Sequence, residues 1–274
     1  GHTHTSLFPQ SEDSQSSSAV FDLFYGYRTL HKGMTIEEIE QTVENFAQAA
    51  RRVRQAGADG LEITASKGYI IQQFLNPGVN RRADRYGGSI DNRFRILEEI
   101  VVAVRKIIGD DFPLGIRLSA ADHNYLPLNI RLPIRFPLKH WYFGNTINDN
   151  IYFAKKLKNL GLDYLHIDKG YGFINPKGNP GSFPVQEMKM FYNSNRHLSR
   201  KAWWRAALFN SIPNFLLKPI ANIGWHNTPA VSADDAKRFR EEIGLPVIAN
   251  GGFQERSIIE ETLLAGKADL IAMA

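Results

Sequence analysis

The sequence predicts an α/β fold built as a parallel sheet with helices outside it, best read as a (β/α)8 barrel, on three observations. A helix, a glycine and a short apolar strand recur five times along the chain. Each of those strands ends in polar or glycine-rich residues, as barrel strands do where they deliver side chains to a rim. The dinucleotide fingerprint Gly-x-Gly-x-x-Gly of a doubly wound sheet is missing.

Residues 1–33 read as irregular, with the Ser/Gln/Asp-rich piece Ser11 to Ser18 as a surface loop. Thr35 and Glu38 then form a capping box. Ile36, Ile39, Val43, Phe46, Ala47 and Ala50 follow at helical spacing, so a helix is expected over about 35–56, stopped by Gly57. Gly60-Leu-Glu-Ile-Thr64 reads as the first buried strand. A helix from about Asp91 to Ile108 leads to the strand Leu114 to Ser119, and one from Asn148 to Leu160 leads to Tyr164 to Asp168. Asp234 to Ile243 precedes Pro246 to Gly252, and Glu255 to Ala265 precedes Asp269 to Ala274. Between Leu198 and Leu217 one or two helices are expected, broken at Pro213. A closed barrel needs eight strands, so five strands imply a fragment retaining about the last five. The chain is expected to be one domain over 1–274, truncated at both ends, with insertions near 120–145 and 170–231.

Composition narrows the function. The 274 residues are 43% hydrophobic and 22% charged, which suits a globular protein. No run approaches the roughly 20 apolar residues of a spanning helix, and no signal peptide opens the chain, so no membrane partner and a cytoplasmic location are expected. Zero cysteines exclude a disulfide framework, a thiolate metal site and a cysteine nucleophile within these residues. The net charge of +5 suits anionic ligands, and no nucleic-acid module is recognisable, so no nucleic acid is expected.

Individual side chains carry chemistry. Arg117 sits in an apolar strand, where an isolated charge is costly unless an anion or an acceptor meets it; a structural ion pair with a neighbouring strand is the plain alternative. Gly251 and Gly252 follow a strand and precede a helix, which offers bare amides to a phosphate or simply makes a tight turn. Lys169, just past a strand end, leaves open a Schiff-base lyase. His2, His4, His166 and Asp168 leave open a metal hydrolase, although no metal site is assigned. A non-catalytic remnant of a barrel enzyme is a further alternative.

From Ala56-Gly-Ala-Asp-Gly-Leu-Glu-Ile-Thr through Tyr69 to Arg85-Tyr-Gly-Gly-Ser89, with Asn92-Arg93, the sequence resembles the Old Yellow Enzyme family of FMN-dependent NAD(P)H:flavin oxidoreductases. The likeness continues through Phe112 to Ser119, Asp163 to Asp168, Pro246 to Gly252 and Lys267 to Ala274, in the family's order. It implies FMN as cofactor, NAD(P)H as reductant, a small-molecule acceptor with an activated C=C bond, and a barrel that allows a homo-oligomer. By the same resemblance Arg117 faces the pyrimidine end of the flavin. Asn250, Gly251 and Gly252 contact the cofactor, and Ala274 begins a second phosphate element. Tyr69 matches the tyrosine that protonates the substrate carbon. Thr64 and Lys67 stand where the family usually has His with His or Asn to bind the substrate carbonyl, which implies an altered substrate choice. The loop Asn80 to Gly88 reads as architecture first.

Overall fold

Five strands, β5 (Leu61–Ala65), β6 (Leu114–Ser119), β7 (Tyr164–Asp168), β8 (Val247–Asn250) and β9 (Leu270–Ala272), form one sheet in that order, every pair parallel. The computed structural model describes residues 15–19, 21–22, 29–30, 32–124, 143–171, 182–198, 200–223 and 229–273. All five strands are those expected from the sequence, and consecutive strands are neighbours because each connection crosses over through a helix.

The helices are α1 (Ile36–Gln55), α2 (Ile70–Leu75), α3 (Ile90–Ile108), α4 (Ile147–Asn159), α5 (Val185–Asn195), α6 (Arg200–Ser211), α7 (Asn214–Ala221), α8 (Ala233–Ile243) and α9 (Arg256–Leu264). The Thr35/Glu38 capping box opens α1, with Glu38 N donating to Thr35 Oγ1 at 3.2 Å and Thr35 N to Glu38 Oε2 at 2.7 Å. Ser89 caps α3 through Asn92 N, and Thr146 with Asp149 makes a second box on α4. Pro213 separates α6 from α7 and becomes the N-cap of the latter.

Strand periodicity decides what each face of the sheet does. Ile63, Ala65, Leu114, Ile116, Leu118 and Leu165 belong to one buried cluster shared with the helices, including the stacked Phe94–Phe153 pair at 5.5 Å. Each of the leucine, isoleucine and phenylalanine side chains contributes about 1.5–3 kcal/mol by leaving water. The intervening residues face the other way. Their register places Thr64 beside Arg117, Arg117 beside His166, and His166 beside Ile248, a row across four strands. Gly115 lies on this face too, where the Tyr164 ring occupies the space of a Cβ, at 2.1 Å.

Two expectations change. Residues 1–33 are not wholly irregular. β1 (Gln15–Ser16) pairs with β4 (Lys32–Gly33), and β2 (Phe21–Asp22) with β3 (Thr29–Leu30). Nor do the serines at 16–18 lie on the surface; they are buried. Ser17 Oγ donates to Gln73 O at 2.9 Å, and Ser18 Oγ accepts from Arg81 N at 2.8 Å, so hydrogen bonds offset the burial of these two, while Ser16 Oγ has no partner among the described residues. Helices α2 and α5 were not anticipated: α2 has six residues, every one of them buried, and so shows no amphipathic period.

Candidate active site

The polar face of the sheet converges on one carboxylate. Asp168, at the end of β7 and 1% exposed, takes Arg117 Nε at 2.7 Å and Ser66 Oγ at 3.0 Å on Oδ2, with Lys67 Nζ 3.7 Å from the same oxygen. Arg117 therefore makes the cross-strand ion pair that its strand position allowed. Only its Nε is used: the Nη groups donate to no protein group among the described residues, and the side chain is 26% exposed. One step down the sheet His166 Nδ1 donates to both Glu62 oxygens at 3.1 Å. His166 Nε2 and Asp168 Oδ1 are buried without a partner among the described residues. Buried polar atoms in that state are costly, so this face is chemically suited to a polar ligand.

Lys67 reaches into the same cluster. Its backbone φ is 56° and its Nζ donates to Lys169 O at 3.2 Å. Burial draws its ammonium below the ordinary lysine range, Asp168 opposes this, and Arg117 reinforces it. The turn that carries it is held by α2: Gln72 Oε1 accepts from Gly68 N, and Gln73 Nε2 donates to Gly68 O at 2.7 Å. Gln72 Nε2 in turn donates to Asp122 at 2.8 Å. Asp122 also accepts from Asn76 Nδ2 at 2.8 Å and Asn145 N at 2.9 Å. Burial outweighs these donors and pushes its carboxyl up to about 6.

Thr64 and Tyr69 share a different wall. With Glu62, Phe46, Met34 and Ile70 they line a cavity of about 510 Å³ between α1 and β5, which among the described residues has β6 as its strand neighbour in the sheet. Lys67 is not part of that lining. The structure thus brings Lys67 and Arg117 together at Asp168, and Thr64 and Tyr69 together at the cavity.

On the same rim, past β8, Gly251 and Gly252 adopt φ of 106° and 78°. Their carbonyls accept from Val231 N at 3.0 Å and Ala230 N at 3.3 Å, and Ser232 Oγ donates to Asn250 O. Their own amides donate to no protein group among the described residues. Gly251 stands two strands from Arg117, roughly 10 Å across the sheet at the usual strand spacing. A Cβ on Gly251 would lie 2.8 Å from Val231 Cγ1. Gly251→Ala combines that overlap with an unfavourable φ, so an expected loss of about 1–3 kcal/mol should appear in urea denaturation. Ala274 lies outside the described residues, as do His2 and His4.

The alternatives lose ground locally. Lys169 Nζ is 2.7 Å from Asp235, an ion pair that a Schiff-base amine would have to leave. His166 and Asp168 turn to Glu62 and Arg117, and no group of three metal-ligating residues occurs among the described residues. No helix among them is long and apolar enough to cross a membrane. Sequence reasoning passed over Glu62, Ser66, Gln72 and Asp122, and weighed Asp168 only as a metal ligand. The available signal was Asp168 at a strand end, one strand from an isolated arginine.

Residues 5–127 match the model of the NADH:flavin oxidoreductase / NADH oxidase family. An NADPH dehydrogenase of Geobacillus sp. is 40% identical over 139 residues, 51% of this chain and 35% of the relative. An NADH oxidase of Thermoanaerobacter brockii is 26% identical over 245 residues, 89% of this chain and 28% of the relative. The chain thus spans about a third of the length of these relatives. The fold is shared with a 2-naphthoyl-CoA reductase (TM-score 0.66, 23% identity, 94% of this chain and 30% of that one). It is shared also with an Old Yellow Enzyme homologue from Zymomonas mobilis (TM-score 0.60, 19% identity, 95% and 56%). By its match over residues 5–127, its aligned relatives and its barrel-type parallel sheet, this chain is similar to the NADH:flavin oxidoreductase / NADH oxidase family.

Proposed function

We propose that the chain is a single FMN-binding domain, with insertions around 120–145 and 170–231, of an enzyme that reduces an activated C=C or similar acceptor with NAD(P)H. The observation that carries this reading is the half-used guanidinium of Arg117, anchored through Nε to Asp168 on the rim that also holds the Gly251–Gly252 turn. The residues fit the cofactor. Unpartnered His166 Nε2, the outer N–H groups of Arg117 and two glycine amides offer polar contacts for a flat heterocycle at one end and a phosphate at the other. FMN bound there would supply the hydride chemistry between nicotinamide and acceptor.

The chain's own groups would do the rest. Arg117, held rigid, supplies fixed positive charge where negative charge accumulates, and costs no reorganisation at that moment. Asn250, Gly251 and Gly252 would hold the cofactor's phosphate end. Tyr69 would give a proton to the substrate carbon, with Thr64 beside it on the same cavity wall as a hydroxyl contact. Lys67, drawn to Asp168, would act on substrate only by leaving that contact. Dependence on a diffusible nicotinamide fits a cytoplasmic enzyme.

Titration of the purified chain with FMN, followed by flavin fluorescence and by NADH or NADPH oxidation, tests the reading. Arg117→Met should weaken FMN binding roughly tenfold, the usual worth of one charge-assisted contact. A chain that takes up no flavin at any accessible concentration would remove the proposal.

A further inference from the structure

Helices α5, α6 and α7 form the body of the insertion between β7 and β8, with α5 packed against both others. Their charge is one-sided. From 185 to 223 the chain has six basic residues (Lys189, Arg196, Arg200, Lys201, Arg205 and Lys218) against the single acid Glu187. That segment alone therefore carries a net +5, equal to the net charge of all 274 residues, and the remainder is balanced.

Apolar exposure concentrates in the same place. Helix α6 is arranged opposite to a core-packing helix: the small Ala202 and Ala206 are buried, while Trp203, Trp204 and Leu208 are 49%, 60% and 66% exposed. Arg200, Trp204 and Leu208 recur every four residues, so the exposed stripe of α6 opens on a cation and continues in large apolar groups. The Trp203 and Trp204 rings meet edge to face at 4.9 Å. In α7 and the turn after it, Phe215, Ile220 and Ile223 are each about two-thirds exposed or more, at 74%, 67% and 73%. Arg196, Arg200 and Lys218 are exposed and make no ion pair among the described residues. Patches of this kind on a soluble domain mark an interaction surface rather than a defect.

Charge complementarity selects the occupant. A second copy of this face would set +5 against +5. A nucleic acid would answer the cations but leave the exposed leucine and isoleucine side chains against phosphate. An anionic lipid surface answers both: tryptophans sit at the headgroup level, apolar side chains enter the acyl boundary, and Arg and Lys reach lipid phosphates. Helix α6, about 18 Å long at 1.5 Å per residue, is too short to span and suited to lie in the interface. We propose that the 185–223 insertion docks this domain reversibly on an anionic membrane surface. The proposal is independent of the flavin reading.

The test is co-sedimentation of the intact chain with phosphatidylcholine vesicles, with and without phosphatidylglycerol, alongside tryptophan emission. Binding is expected only with phosphatidylglycerol, with a blue shift, and should fall as salt rises. Trp203→Ser with Trp204→Ser should weaken binding roughly tenfold and remove most of the shift. Arg200→Glu with Lys218→Glu should weaken it tenfold or more while leaving the emission of the free protein unchanged. All four side chains are largely exposed, and circular dichroism checks that the fold is kept. Absence of vesicle binding, binding indifferent to lipid charge, or a dimer on size exclusion that the tryptophan substitutions dissolve would each overturn it.

Discussion

Replacing Asp168 with Ala should lower stability by about 3 kcal/mol, measured by urea denaturation, because it leaves two cations facing each other at the end of β7. Arg117 and Lys67 are both largely buried, with side chains 26% and 12% exposed, and Asp168 is the acid that both approach. Removing one member of such a group costs more than the group contributes, since the survivors stay desolvated without a counter-charge. The discriminating measurement is a double substitution. Arg117→Met combined with Asp168→Leu replaces the pair with apolar groups of similar size and should recover much of the stability lost by Asp168→Ala. Losses that simply add would show that the two side chains do not act as a unit. In the proposed flavin site the same carboxylate aims the guanidinium, so Asp168→Asn, which keeps the shape, should still weaken FMN binding.

Asp122 should make stability fall as pH rises through the mildly acidic range. Its carboxyl is fully buried and its pKa is raised from 3.8 to about 6. Below 3.8 both folded and unfolded chains hold the proton, and this group's favourable contribution is complete. Between 3.8 and about 6 only the folded chain holds it, so that contribution is lost as pH rises, by about 3 kcal/mol in all. Asp122→Asn removes the titration. It also turns an amide toward Gln72 Nε2, a mismatch costing about 1–3 kcal/mol at every pH. The stability of the native chain minus that of the variant should therefore drop by about 2 kcal/mol from pH 4 to pH 7 in paired urea titrations. Parallel curves would contradict it. Because Asp122 reaches Gly68 through Gln72, Lys67 and Tyr69 should also become more mobile in the variant, visible as faster amide exchange around 66–70.

The architecture was legible because it is local. Glu38 following Thr35 starts a helix wherever it stands, and Ile116 and Leu118 alternate with Arg117 whatever lies next to the strand. Five strands, seven of the helices and the position of Arg117 on a polar face follow from such short-range rules. The Gly251–Gly252 turn was legible for the same reason, as only glycine adopts those backbone angles without strain.

What the amino-acid sequence determined by itself is thus the order of strands and helices, the rim at which they end and the family to which the chain is similar. Only the tertiary structure decided partners. Arg117 meets an aspartate 51 residues away, Ser66 meets it across 102, and the serines at 17 and 18 are buried by residues more than 50 positions on. No local pattern encodes those choices. They depend on which strands become neighbours and in what register, and a slip of one residue would turn Arg117 toward the helices and leave Asp168 without its cation. The same limit hid the exposed face of α6, since a helix expected somewhere between Leu198 and Leu217 does not say which of its sides meets water.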